Sequence, residues 1–130
     1  MSEQHHNEVG RIVSEIQPFL AGYLIKQVSA CEDGEISAQE LINQCTFIER
    51  KIDGAVSALF KVRFPRVKQR RNLSVLRQSF LEYKKAAGEV KTALEKGENR
   101  MTQIVRNLEK ASKLANKYAE LTFKDRMKHG

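Results

Sequence analysis

The chain has 130 residues, enough for one modest hydrophobic core, and carries a net charge of +7. It holds no Trp, only two Pro and few β-branched runs, while Ala, Leu, Glu, Lys, Gln and Arg are plentiful, so helix is favoured over sheet. No stretch approaches the roughly 18 apolar residues that span a bilayer, and the opening MSEQHHNEVG lacks the basic-then-apolar form of a signal peptide, so a cytoplasmic protein with no membrane partner is expected.

The spacing predicts a first helix over about residues 7–30. Asn7 is its candidate N-cap, and Val9, Ile12, Ile16, Leu20 and Tyr23 recur every three or four residues. Pro18 inside that pattern removes a backbone donor and predicts a kink or a break. Val13, Phe19, Leu24 and Ile25 widen the apolar face, which suits either deep burial or an interface between copies. Next, Ser37 and Glu40 form a capping box opening a second helix over about 37–63. Its stripe is Leu41, Cys45, Ile48, Ile52, Ala55, Leu59 and Val62. Pro65 stops it. The third helix, over about 66–96, starts either at Pro65 or after a cap at Asn72, and repeats Leu73, Leu76, Phe80, Tyr83, Ala87, Val90 and Leu94. Gly97 is its C-cap candidate and Asn99 caps the next helix, over about 99–125, with Met101, Ile104, Leu108, Ala111, Ala115 and Tyr118 inward. The tail KDRMKHG is polar and expected to fray.

Four helical patterns with short connections predict one domain: an all-α, antiparallel up-down-up-down four-helix bundle with a heptad-like core. Each helix of about 25 residues is roughly 37 Å long, so the lengths match.

Charge is segregated along the chain. Residues 1–60 carry four basic and nine acidic groups, a balance of −5, whereas residues 61–130 carry nineteen and seven, a balance of +12. The concentration peaks at residues 61–77, KVRFPRVKQRRNLSVLR, with seven cations and no acid. Lys61, Arg63, Arg66, Lys68, Arg70, Arg71 and Arg77 have nothing local to offset their repulsion, so an external polyanion is the natural neutraliser. Folding into the bundle places this basic elbow at one pole with Lys124, Arg126 and Lys128, and the acidic Glu32, Asp33 and Glu35 at the other. Arg106, Lys110, Lys113 and Lys117 continue the basic surface along the fourth helix, and Arg77, Lys84 and Lys91 along the third.

Catalysis finds no support. His5, His6 and His129 all fall in the chain ends, and the sequence has no Gly-rich phosphate loop and no nucleophile motif. Glu3 and His6 form a single ExxH, where a di-iron bundle needs two, so no metal or cofactor is expected. Cys31 and Cys45 give no metal spacing and no disulfide framework; Cys45 falls on an apolar position. The segment from Asp33 to Leu41, with Gly34, Ile36 and Glu40, resembles the second half of an EF-hand loop, which would make Glu40 a calcium ligand. Ser29 and Cys31 stand where that family has Asp or Asn, and the capping box accounts for Ser37 and Glu40 without an ion.

The expected function is therefore binding: a non-catalytic accessory or scaffold protein contacting an RNA or DNA backbone through Lys61, Arg63, Arg66, Lys68, Arg70 and Arg71, helped by Arg77, Lys110, Lys113 and Lys117. Only Phe64 interleaves an aromatic for base stacking, so base reading is not expected. The alternative is a helical adaptor or chaperone whose elbow docks on an acidic protein. Surplus apolar residues on the first and fourth helices leave room for a homo-oligomer in either case.

Overall fold

The computed structural model describes residues 2–129 and, within them, all side chains but those of Ser2, Ala21 and His129. Five α-helices and one 3₁₀ turn account for the ordered elements, with no strand among the described residues. They are α1 (Ser2–Ile16), the 3₁₀ turn Gln17–Phe19 carrying Pro18, α2 (Ala21–Glu32), α3 (Ala38–Phe60), α4 (Val67–Lys96) and α5 (Met101–His129). No helix is long and apolar enough to cross a membrane.

The helices pack into a bundle whose centre is α4. It lies against α3 on one side and α5 on the other, and α1 and α2 rest on α3. The α3 stripe is fully inward, with Leu41, Cys45, Ile48, Ile52, Ala55 and Leu59 all buried. On α4, Leu73, Leu76, Phe80, Ala87 and Val90 are buried, while Tyr83 and Leu94 are half-buried. Small residues bring α4 and α5 close. Ser79, Ala86 and Ala111 are fully buried, and the Ser79 hydroxyl donates to the Ala111 carbonyl at 2.6 Å, which satisfies a polar group sealed from water.

Several boundaries differ from the sequence expectation. Helix α1 begins at Ser2, so Asn7 lies inside it. Arg66 is the N-cap of α4, with extended φ and ψ of −100° and 142°, so Pro65 lies outside the helix and Asn72 is a buried interior residue rather than a cap. Helix α5 runs through the polar tail to His129. The anticipated caps are present elsewhere. Glu40 N–H donates to the Ser37 hydroxyl at 3.1 Å, and Ser37 N–H to the Glu40 carboxylate at 3.4 Å. Gly34 (φ +77°) and Gly97 (φ +63°) end α2 and α4 in the left-handed region that a Cβ disfavours.

The closure of the bundle is uneven. The α1–α2 arm approaches α5 much less closely than it approaches α3. Two apolar grooves mark that seam. One, of about 690 Å³, lies among Val13, Leu76, Tyr118, Phe123 and Met127. The other, of about 310 Å³, lies among Leu24, Ile25, Val28, Met101, Ile104 and Val105. Ile25, Met101, Val105, Phe123 and Met127 are exposed along it, so the inward stripe expected for the last helix is only partly covered.

Candidate nucleic-acid interface

Pro65 and the extended Arg66 turn the chain between α3 and α4, and three sets of contacts fix that turn. Arg70 Nη1 donates to the carbonyls of Phe64 at 2.7 Å and Pro65 at 3.1 Å, satisfying acceptors that the elbow leaves open. Phe64 is 2 % exposed, with the His5 and His6 rings packed on it at centroid distances of 5.3 and 4.9 Å. Arg66 Nη2 donates to Asp125 Oδ2 at 3.1 Å, and the buried Gln69 donates to the same oxygen at 3.2 Å. The elbow is thereby tied to the start of α1 and the end of α5, and an Arg126–Glu3 ion pair at 2.8 Å joins those two ends to each other. Burial and the neighbouring Arg126 push the His6 imidazole below its ordinary pKa, favouring its neutral form. His129's side chain lies outside the described residues.

These contacts sort the predicted site residues. Arg66 is engaged with a carboxylate, and Arg70 with carbonyls that leave its charge uncompensated. Lys61, Arg63, Lys68 and Arg71 are exposed and have no carboxylate within ion-pair distance among the described residues. Phe64, the aromatic noted in the sequence, is buried beneath the elbow and offers no ring to a base.

The lateral stripes divide similarly. Lys84 pairs with Asp53 at 2.7 Å and Lys91 with Glu49 at 2.8 Å, and the Arg77 guanidinium lies 4.1 Å over the Phe60 ring. That heptad of cations stitches α4 to α3, and burial lowers the Arg77 pKa, whereas the Glu49 bond raises that of Lys91. On α5, Lys110 stands 3.4 Å from the buried Glu82, while Arg106, Lys113 and Lys117 are exposed with no ion pair among the described residues. At the far end of the bundle Arg100 links Glu89 and Glu98, and Glu32, Asp33 and Glu35 are exposed.

A further basic surface was missed by sequence reasoning. A groove of about 290 Å³ between α1 and α3 is lined by Ile12, Arg50, Lys51, Gly54 and Ala55, among others. It continues into a space of about 660 Å³ lined by Gln4, His5, Ser57, Lys61 and Arg63. The two share Arg11, Gly54 and Ala58. Arg50 and Lys51 belong to the acidic half of the chain by composition, and only folding places them in line with the elbow. The sequence signal was present: Arg50, Gly54, Ala58 and Lys61 follow four-four-three spacing along one face of α3.

The segment that resembles half an EF-hand resolves into two helix caps. Gly34 and Glu35 N–H groups donate to the Cys31 and Ala30 carbonyls, closing α2, and the Glu40 carboxylate serves the Ser37 amide. Among the described residues no group of three or more His, Cys, Asp or Glu converges on a point where a metal would sit. No protein-family profile, curated protein or solved structure matches the chain.

Proposed function

We propose that the protein binds the phosphate backbone of a nucleic acid, without catalysis, as an accessory or scaffold subunit in the cytoplasm. The supporting observation is the set of uncompensated cations at the elbow. Lys61 and Arg63 in the α3–α4 connection, and Lys68 and Arg71 on the opening turns of α4, have no carboxylate partner among the described residues and flank a turn held from three sides. Lys113 and Lys117 extend the positive surface along α5. Contact pairs such as 49–91 and 53–84 between α3 and α4, and 66–125, 79–111 and 89–100 between α4 and α5, support the up-down-up-down antiparallel order that puts both chain ends beside the elbow.

The test is a binding titration with RNA and DNA across salt. Four to six phosphate contacts give a log-log slope of about −3 to −5. Replacing Lys68 and Arg71 by Glu lowers that slope by about 1.4–1.8 and weakens binding, and leaves helicity intact, since neither side chain is tied into the fold among the described residues. Unchanged binding after that double replacement refutes the elbow as the site.

A second reading is favoured by the open seam between the α1–α2 arm and α5. Its exposed Ile25, Met101, Val105, Phe123 and Met127 suit a helical protein partner or a second copy better than a polyanion. On that reading the elbow docks on an acidic protein. Co-purification separates the two: absorbance at 260 nm that nuclease removes supports the first, and a stoichiometric acidic protein supports the second.

A further inference from the structure

We infer that the α1–α3 groove is a track for single-stranded nucleic acid, with phosphates running from Arg63 and Lys61 to Arg50 and a base stacked on the Phe19–Phe47 pair. This deepens the polyanion function proposed for the elbow and rests on it.

The groove has the length of a short strand. Its two parts share Arg11, Gly54 and Ala58, so they form one channel. From Arg50 to Lys61 the α3 axis advances about 16 Å, the rise of roughly five phosphates in one stacked strand at 3.4 Å each. Gly54, Ala55, Ser57 and Ala58 along the α3 wall keep it low, so a backbone can settle between the helices. A duplex carries its phosphates on a rigid convex cylinder and cannot lower them into such a channel, whereas a flexible single strand can.

The charge suits the same occupant. Arg11, Arg50, Lys51, Lys61 and Arg63 line the channel against two carboxylates, Glu8 and Glu15, leaving three net positive charges. Both carboxylates are bound by Arg11. Arg50, Lys51, Lys61 and Arg63 have no ion-pair partner among the described residues.

The aromatic pair supplies what a phosphate track alone lacks. Phe19, on the 3₁₀ turn, and Phe47, on α3, meet edge to face at 5.2 Å. Phe47 is 39 % exposed, and the Tyr23 ring meets Phe19 edge to face at 5.7 Å. Lys51 joins this pair to the channel: it lines the groove, and its Nζ lies 5.6 Å from the Phe19 ring centre and 5.5 Å from that of Phe47. A side chain with this placement can swing from the rings to a phosphate when a base takes its place. Stacking on Phe tolerates any base, since every base has a π face, so a sequence-tolerant single-strand site is expected.

Fluorescence anisotropy with labelled 12-nucleotide RNA, DNA of the same sequence, and the corresponding duplex tests the assignment. Both single strands are expected to bind more tightly than the duplex. Phe47→Leu keeps the apolar contact and removes the π face, and is expected to weaken single-strand binding about tenfold while leaving duplex binding and the melting temperature unchanged. Phe47→Trp is expected to restore it. Arg50→Gln is expected to reduce the single-strand salt slope by about 0.7. If Phe47→Leu and Arg50→Gln bind single strands like the parent while Arg71→Gln weakens them, the groove assignment is overturned and the elbow stands. A parent protein that prefers the duplex overturns it as well. If no RNA, DNA or duplex binds at low salt, the proposed function itself fails and takes the groove with it.

Discussion

Asp125 gives the sharpest test of how the elbow is built. It is 3 % exposed and accepts from Arg66 and from the buried Gln69, thereby fastening α5 to the start of α4. Asp125→Ala removes both bonds. Each charge-assisted bond contributes roughly 1.5–3 kcal/mol at full strength, and loss of the acceptor takes one hydrogen bond from the sealed Gln69 side chain. The Arg66 contribution is smaller, because its side chain is 38 % exposed and water recovers part of its solvation. The expected destabilisation is therefore about 2–4 kcal/mol, a large fraction of the stability of a domain this size. Asp125→Asn keeps an acceptor without the charge and is expected to cost about half as much. Urea unfolding followed by far-ultraviolet circular dichroism measures both, at unchanged m-value. Arg66→Ala combined with Asp125→Ala should cost less than the sum of the single changes by about 1 kcal/mol, since the two share one contact. A stability within about 0.5 kcal/mol of the parent for Asp125→Ala, or strict additivity with Arg66→Ala, refutes the idea that this carboxylate holds the elbow.

Two further outcomes follow from the core and the caps. Burial, and then the Glu49 carboxylate, push the Cys45 thiol up to about 12 from an ordinary 9.0. In the native protein a thiol reagent should therefore label the half-buried Cys31 and reach Cys45 only after unfolding. Between pH 9 and 12 the unfolded thiol loses its proton while the folded one keeps it, so folding stability should fall with rising pH by up to about 1.4 kcal/mol per unit, and Cys45→Ala should remove that part. Rapid labelling of both thiols in the native state contradicts this placement. Ser37→Ala breaks the capping box and should cost about 1 kcal/mol in the same urea assay; no loss there means the start of α3 is held by packing alone.

The α3 stripe was legible in the sequence because every residue in it is buried, so apolar periodicity and burial coincide. The α5 stripe was only half legible. Ile104 and Ala111 are buried, but Met101 is exposed on the open seam, and periodicity alone cannot tell a covered face from an uncovered one. The chain ends depart from the sequence expectation for a related reason. A polar tail is expected to fray, yet Asp125 within it is buried by a partner 59 residues away, and His5 and His6 gain a packing surface from Phe64 that no local pattern announces.

The basic elbow carries the most instructive difference. In sequence its seven cations are equivalent, because none has an acidic neighbour. In the fold they perform three tasks. Arg66 secures α5, Arg70 satisfies the carbonyls of the turn, and Arg77 packs on Phe60, whereas Lys61, Arg63, Lys68 and Arg71 remain exposed. The first three, together with the buried Phe64, help to position the other four. Replacing Arg66 together with Arg70 and Arg71 therefore confounds loss of the elbow with loss of binding. Lys68 and Arg71 are the pair whose replacement separates them: an effect on affinity without an effect on unfolding is expected there, and the reverse order of sensitivities is expected at Arg66.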